Sequence, residues 1–557
     1  FSVTKKYSKS EKFIDPLSSK TSVTGSKDNN LAGDLYTTNG ESLDWNSNAF
    51  LYYTRSFNKQ HNLNVSAGWE AASGTTESTN AHYRGFPSGE FHSLNYAAEV
   101  YKKPTRTENT TRRVSVLASA NYTWNDIYLV DASVRFDGSS EFGANQKWAP
   151  FFSGGLGVNI HNYDFFKSNG YINKLKLRAS YGRTGKVNFP AYAATTMYET
   201  LFDEWYITGY GAVLKALGNK DLTWEKTDKL SVGIETKTFH DRLTVDFEYY
   251  YNKTIDLVND VTLSQTSGFS TYKDNMGQVA NKGVELKLRA DIYRDRNWNV
   301  ALWGNMAHNK NEILKISDSQ KAYNERVAAY YKNEALYQET LGLSHGAEYS
   351  VPLPQYEEGA SLTSIWAVRS LGIDPTTGKE IFLNRDGSIA DKWNAAQEVV
   401  VGNTEPKCSG AFGLNLSYKN WTLFASFLYE WGGQEYNQTL VNNVENADLV
   451  NKNVDLRVLT DRWKKPGDIA QFKDIKDRGM TTLPTSRFVQ DKALVRLNSL
   501  NVSYDFNRDW IKKHLRMNLL RLEASTSDLI NWSSIKQERG LSYPRSWKVE
   551  FSLKAQF

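Results

Sequence analysis

The residues in this chain best suited to chemistry are aromatic rings set in long polar stretches. Residues 185–221 hold Tyr192, Tyr198, Trp205, Tyr206 and Tyr210. Residues 317–407 hold Tyr323, Tyr330, Tyr331, Tyr337, Tyr349, Tyr356 and Trp366. A flat aromatic face stacks on a sugar ring or packs on a peptide. Tyr192, Tyr198, Trp205, Tyr206, Tyr330, Tyr331 and Trp366 are therefore the candidate ligand contacts. The alternative is that they pack the loops or touch a partner protein. Catalysis and metal binding find less support. His61, His82, His92, His161, His240, His308, His345 and His514 include no i,i+4 pair and no neighbouring cysteine. A zinc site needs closer ligand spacing than that. No Gly-x-Ser-x-Gly, P-loop or dinucleotide fingerprint occurs. Acidic residues are abundant, yet nothing singles out two of them as a glycosidase pair. Residues 384–389 resemble a calcium loop only faintly. With Asp386 at the fifth position, Phe382 falls at the first, where a carboxylate is needed. Asp374-Pro375-Thr376-Thr377-Gly378 and Asp137-Gly138-Ser139-Ser140 both read as turns. The expectation is no catalytic residue, no metal and no cofactor.

The elements that must hold those rings are strands. Trp547, Val549, Phe551, Leu553, Ala555 and Phe557 alternate with Lys548, Glu550, Ser552, Lys554 and Gln556. Side chains on a strand point alternately to its two faces, so one face is apolar and the other polar. The same alternation appears at Val114–Trp124, Tyr128–Phe136, Leu175–Tyr181, Leu230–Ile234, Leu243–Tyr251, Val284–Ile292, Phe412–Tyr418, Trp421–Trp431 and Leu500–Phe506. Residues 42–57, 62–70 and 148–160 are further candidates. About fifteen strands result, plus a remnant at Phe1. Arg178, Glu285 and Arg289 fall on polar faces.

Short turns at Asn125-Asp126, His240-Asp241, Asp295-Arg296 and Lys419-Asn420 alternate with connections at residues 185–221, 317–407 and 432–493. Membrane barrels are built with short turns at one end and long loops at the other. A soluble fold with ninety-residue excursions between hairpins would be unusual. The expected fold is an all-β transmembrane antiparallel barrel. Trp124, Trp421 and Trp431, near strand ends, suit an interfacial girdle.

Composition is compatible with this reading. Aromatic residues make up 13% of the chain, with 32 Tyr and 16 Trp, which suits membrane interfaces and stacking surfaces and equally an ordinary aromatic β core. Net charge is only +5 with both signs mixed, and no basic block suggests nucleic acid. A single cysteine, Cys408, excludes an internal disulfide framework. No run of 18 apolar residues marks a transmembrane helix. No signal peptide stands at Phe1, and Phe-Ser-Val-Thr-Lys-Lys reads as the end of a strand. The expectation is a fragment of a longer protein.

Five stretches carry a family resemblance. They are Arg135-Phe136-Asp137-Gly138-Ser139-Ser140-Glu141-Phe142-Gly143; Leu175-Lys176-Leu177-Arg178-Ala179-Ser180-Tyr181-Gly182-Arg183-Thr184-Gly185; Leu222-Thr223-Trp224-Glu225-Lys226-Thr227; Asn281-Lys282-Gly283-Val284-Glu285-Leu286; and Ser542-Tyr543-Pro544-Arg545. In order and spacing the chain resembles the C-terminal part of the SusC/RagA family of TonB-dependent outer-membrane transporters of Bacteroidetes. The resemblance implies a 22-stranded barrel. Its plug, N-terminal domain and first strands are expected to lie outside residues 1–557, so a companion segment completes the ring. It also implies a SusD-like surface lipoprotein as lid, the TonB complex as motor, the lipid bilayer as surroundings, and a pairing of two transporter–lipoprotein units. The expected cargo is an oligosaccharide or oligopeptide. Arg178, Glu285 and Arg289 would line the lumen or hold the plug. Phe551 and Phe557 would belong to the terminal signal read by the barrel-assembly machinery. A passive porin or adhesin barrel and a soluble carbohydrate-binding or hydrolytic β protein remain as alternatives.

Overall fold

A computed structural model describes residues 1–18, 20–22, 31–167, 171–187, 189–207, 209–216, 218–262, 271–275, 277–318, 320–322, 324–325, 356–450, 454–479, 482–536 and 547–557. Seven strands come first: β1 (Ser2–Ile14), β2 (Asp34–Phe57), β3 (His61–Arg84), β4 (Glu99–Trp124), β5 (Tyr128–Ser139), β6 (Trp148–Asn159) and β7 (Ile172–Lys186). A side hairpin, β8 (Met197–Tyr206) and β9 (Gly209–Ala216), precedes β10 (Glu225–Thr238) and β11 (Leu243–Ile255). A second, β12 (Val258–Thr262) and β13 (Thr271–Asn275), precedes β14 (Gln278–Arg294) and β15 (Trp298–Lys315). Five short strands follow: β16 (Ser364–Ala367), β17 (Arg369–Ile373), β18 (Glu380–Leu383), β19 (Ile389–Ala390) and β20 (Val399–Asn403). The chain ends with β21 (Cys408–Tyr418), β22 (Trp421–Tyr436), β23 (Val489–Asp505), β24 (Leu519–Thr526), β25 (Asn531–Ser533) and β26 (Val549–Gln556).

Seventeen of these strands form one antiparallel sheet that follows chain order. β24 and β25 both pair with β23, so they are two halves of one interrupted strand and the sheet has sixteen positions. Register sorts the side chains as the alternation requires. Val130, Leu156, Ala179, Val232, Tyr249 and Val284 form one continuous apolar row across six strands. Leu416, Leu423, Val502, Ala524 and Phe551 form another across β21 to β26. Several members are bare, with Leu156 63% exposed and Phe551 76%, while Val284, Leu416, Leu423 and Val502 are half-buried. An apolar surface this wide is a mark of contact with something other than water.

Connections alternate between the two ends of the sheet. At one end residues 58–60, 125–127, 239–242, 295–297 and 419–420 make tight reversals. Asn125 and Asp126 both have φ of 55°, a left-handed pair at the centre of a tight turn that Ile127 N closes by donating to Trp124 O at 2.9 Å. Rings collect at the same end. Trp124 stacks on Tyr128 at 5.3 Å, Trp298 lies 4.3 Å from Tyr418, and Trp421 lies 4.8 Å from Tyr504. At the other end residues 187–224, 316–407 and 437–488 make long excursions, and Trp148 stacks on Phe136 at 5.4 Å.

Four readings change. The remnant at Phe1 is a thirteen-residue strand, and β2, β3 and β4 reach far beyond residues 42–57, 62–70 and 114–124. Their extra lengths are polar on both faces, as in Thr75-Thr76-Glu77-Ser78-Thr79-Asn80, so alternation gives no signal there. Asp137, Gly138 and Ser139 are strand, not turn. Asp137 accepts from Arg135 Nε at 2.6 Å inside β5, and the reversal begins at Ser140. The connection at residues 317–407 is no plain loop, since it carries β16 to β20. The terminal strand is shorter, Val549–Gln556, and Trp547 precedes it.

Candidate functional site

The opposite face of the sheet is built from ions and amides. Arg178, Gly233, Glu248 and Glu285 stand in one row across β7, β10, β11 and β14. Arg178 Nη2 donates to Asp246 at 2.9 Å and to Glu248 at 2.7 Å. Gly233 makes room for it, because a Cβ there would lie 2.7 Å from Arg178 Nε. Arg183 grips Asp228 with two bonds of 2.6 and 2.8 Å, and Lys174 reaches Glu235 at 2.6 Å. Arg135 bridges Asp137, Glu70 and Ser115. Arg289 lies further along the same face, 3.4 Å from Asp291. Such partly exposed pairs are worth at most about 1 kcal/mol each. Their larger effect is a wall of fixed, mutually neutralised charge.

Two residues along from Arg178, the row Ser180, Ser231, Tyr250, Gly283 and Asn309 crosses the same strands and β15. It borders a hollow of about 560 Å³, lined also by Lys229, Glu248, Asn281 and Glu285. Gly283 is needed here, since a Cβ would sit 2.6 Å from the Tyr250 hydroxyl. Tyr250 donates to Asn309 Oδ1 at 2.9 Å, and Asn309 donates to Asn281 Oδ1 at 3.1 Å and to Glu405. Asn311 donates to Asn281 Oδ1 at 2.9 Å and accepts from Ser361 Oγ at 3.1 Å and Leu362 N at 2.8 Å. A hydrogen-bonded thread thus joins the hollow to the long connection. Amides and hydroxyls in such density match sugar hydroxyls or peptide groups equally well. Of these residues the sequence reading offered Glu285 as a site candidate and named Ser180, Asn281 and Gly283 only inside family-like stretches; Tyr250 and Asn309 carried no signal beyond their place on a polar face.

The family-like stretches pack on each other at the loop end. Trp224 stacks on Phe142 at 4.2 Å and meets Phe151 at 5.4 Å, and Gly143 N donates to Leu222 O at 3.0 Å. Phe142, Ala149, Phe151, Phe189, Ala194, Leu222 and Trp224 make a buried core there. The stretch Ser542-Tyr543-Pro544-Arg545 lies outside the described residues.

The described parts of the two longest connections pack on each other as a module. Leu440, Val441, Val444, Ala447, Val458, Phe472 and Phe488 form its core. Arg487 sits between Glu380 at 3.0 Å and Glu445 at 2.7 Å, and Glu445 is 0% exposed. Burial works against the Arg487 charge, but the bonds to both carboxylates outweigh it and hold the guanidinium above its ordinary value. Burial pushes the Arg462 and Lys473 cations down. It pushes the Glu398 carboxyl up to about 7. Asp374 and Asp386 spend their oxygens on turns. Asp374 accepts from Thr376 N and Thr377 Oγ1, and Asp386 from Ser388 N and Oγ.

The aromatic candidates do not gather in one place. The Tyr192 hydroxyl accepts from Thr110 N at 3.1 Å, which ties it to the edge of β4. Tyr198, Trp205 and Tyr206 are in β8, and Tyr198 is exposed. Trp366 is half-buried in β16. Among the described residues no ring contact joins Tyr192, Tyr198 and Trp366. Tyr330 and Tyr331 lie outside the described residues. Phe551 and Phe557 are exposed, and Phe551 continues the apolar face.

Comparison with known proteins gives this geometry its context. The family model described as TonB dependent receptor-like, beta-barrel matches residues 6–519. TonB-dependent receptor P39 of Formosa agariphila is 26% identical over 92% of this chain and 53% of its own length. TonB-dependent receptor SusC of Bacteroides thetaiotaomicron is 29% identical over 43% of this chain and 25% of its own. The solved RagAB peptide transporter shares the fold, with a TM-score of 0.81 at 22% identity, over 100% of this chain and 59% of that one. The chain spans about half the length of the curated relatives it matches over most of its own length. A family match over that much of the sequence leaves one assignment: the chain belongs to the TonB-dependent receptor-like β-barrel family.

Proposed function

We propose that this chain forms the C-terminal wall of an active importer in the outer membrane of a Gram-negative bacterium. The observation that carries the reading is the opposition of the two faces. One carries exposed apolar side chains along rows across β5 to β14 and β21 to β26, and the other is a hydrogen-bonding wall with a hollow. β1 and β26 each have one unpaired edge among the described residues, and no open edge survives in hydrocarbon. Companion strands of the same receptor, with its plug, therefore meet those edges. TonB acts through that companion segment. A SusD-like lipoprotein covers the loop end, and the transporter–lipoprotein unit pairs with a second one. The cargo is an oligosaccharide or an oligopeptide, which hydrogen-bonds the hollow at Tyr250, Asn281 and Asn309 and stacks on loop rings such as Tyr198. RagAB is described as a peptide transporter, and the hollow suits peptide groups as well as sugar hydroxyls.

The test is uptake of labelled oligosaccharide and oligopeptide pools by cells carrying the full receptor, with and without TonB. Uptake should vanish without TonB and fall in a Tyr250→Phe/Asn309→Ala variant at unchanged surface level. Uptake that survives loss of TonB would make the barrel a passive pore.

A further inference from the structure

At the tight-turn end most reversals are two to four residues long, while residues 160–171 and 506–518 carry helices, and the longer helix is the second. Between β23 and β24 the chain forms the helix Arg508–Leu515, started by Asn507, whose side chain accepts from Asp509 N and Trp510 N. Ile511 is 1% exposed and anchors the helix to the barrel. Trp510 is 50% exposed and Leu515 41%, and Trp510 stacks on His514 at 5.1 Å. Lys512, Lys513, His514 and Arg516 crowd the last turn and the residue after it, against a single acid, Asp509. Asp509 lies in the first turn, away from them.

The helix also starts where the apolar face ends. Trp421 packs on Tyr504, and Tyr504 meets Phe506 at 5.1 Å, one residue before the helix cap. The ring contacts of the apolar face reach Phe506, four residues before Trp510 in the chain. An apolar flank beside a basic one, next to a belt of rings, is the pattern of a helix lying in a membrane interface. A helix serving only to reverse the chain needs neither exposed Trp nor a cluster of cations. The neighbouring reversals at residues 295–297 and 419–420 manage with two or three residues.

We infer that Arg508–Leu515 is a lipid-docking helix that seats Trp510 and Leu515 at the bilayer surface on the tight-turn side, with Lys512, Lys513 and Arg516 binding anionic phospholipid headgroups. It rests on the outward orientation of the apolar face. Each basic residue near an anionic surface contributes about fivefold in affinity. The helix sets the depth of the barrel in the membrane and gathers acidic lipid at one sector of its rim.

The experiment uses the full receptor in nanodiscs of mixed phosphatidylcholine and phosphatidylglycerol. A nitroxide is placed by Leu515→Cys in a Cys408→Ser background, with a second label by Leu156→Cys as a control for the apolar face. The label at 515 should be relaxed by oxygen more than by a water-soluble nickel complex. Lys512→Gln/Lys513→Gln should cut the enrichment of phosphatidylglycerol among retained lipids by at least about fivefold. A label at 515 open to nickel while the label at 156 is buried in lipid would overturn the helix proposal and leave the barrel reading intact. Both labels open to nickel would overturn the barrel orientation itself. A label shielded from both reagents in detergent as in nanodiscs would mean a protein partner and would also overturn it.

Discussion

The sheet and the loop module treat apolar residues in opposite ways. In the module Val441, Val444, Val458 and Phe488 are hidden, and its ions are buried and paired. In the sheet Val134, Leu156 and Val232 are bare, and its ions sit in half-open ladders. A protein in water arranges itself as the module does. The sheet would be unstable by the same rule, unless its outer solvent is hydrocarbon. Two environments are thus written into one chain, and the boundary between them falls near Trp148, Trp431 and the ends of β15 and β22.

That contrast can be broken first at the module's buried ions. Arg487→Ala leaves Glu445 without its guanidinium, and a stranded buried carboxylate costs about 3–5 kcal/mol. Proteolysis should open residues 437–488 while the strands stay protected. Equal loss of both would mean the module is not a separate unit. Next is the bare face. Leu156→Arg puts a charge at a site reading as lipid-facing and should cost about 2–4 kcal/mol when refolding into vesicles is measured against denaturant. Ser153→Arg, on the other face, should cost much less, and equal costs would remove the distinction between faces.

A subtler contrast is acidity. The Glu398 carboxyl is raised by burial from its ordinary 4.5 to about 7. Between those values the folded module holds a proton that the unfolded chain has released. Stability from this group is therefore full below about pH 4.5 and falls as pH rises through 7. Hydrogen exchange around residues 395–403, corrected for intrinsic rate, should be slower at about pH 5 than at about pH 8. Glu398→Gln should flatten that difference. The smallest effect belongs to the wall. Arg183→Ala removes a two-bonded but partly exposed pair and should cost about 1 kcal/mol or less in thermal unfolding.

Periodicity made the lower wall legible. Val116, Ala118 and Ala120 alternate with Ser115, Leu117 and Ser119, and the register followed. The upper halves of β2 to β4 were not legible, because Thr and Asn on both faces leave no contrast. They are strand because each pairs along its length with a neighbour, as Glu77 does with Glu41 and Glu108. The module was hidden for a different reason. Arg487 meets Glu380 across 107 residues and Glu445 across 42, and no local pattern reports such a meeting. Arg178 and Glu285 were readable as polar-face residues because their neighbours alternate. Tyr250 was not, because an aromatic on a polar row looks like a break in the pattern.

The side chains of Asn281, Asn309 and Asn311 already have partners on both sides, the hollow at one end and Ser361 and Leu362 at the other. A guest that takes a bond from Asn309 must loosen its grip on Glu405 or Asn281. A group bound at the hollow would then be felt at residues 361–362, and by reciprocity the posture of that excursion would set how firmly such a group is held. Three asparagines thus couple the hollow on the polar face to the excursion at the loop end of the sheet.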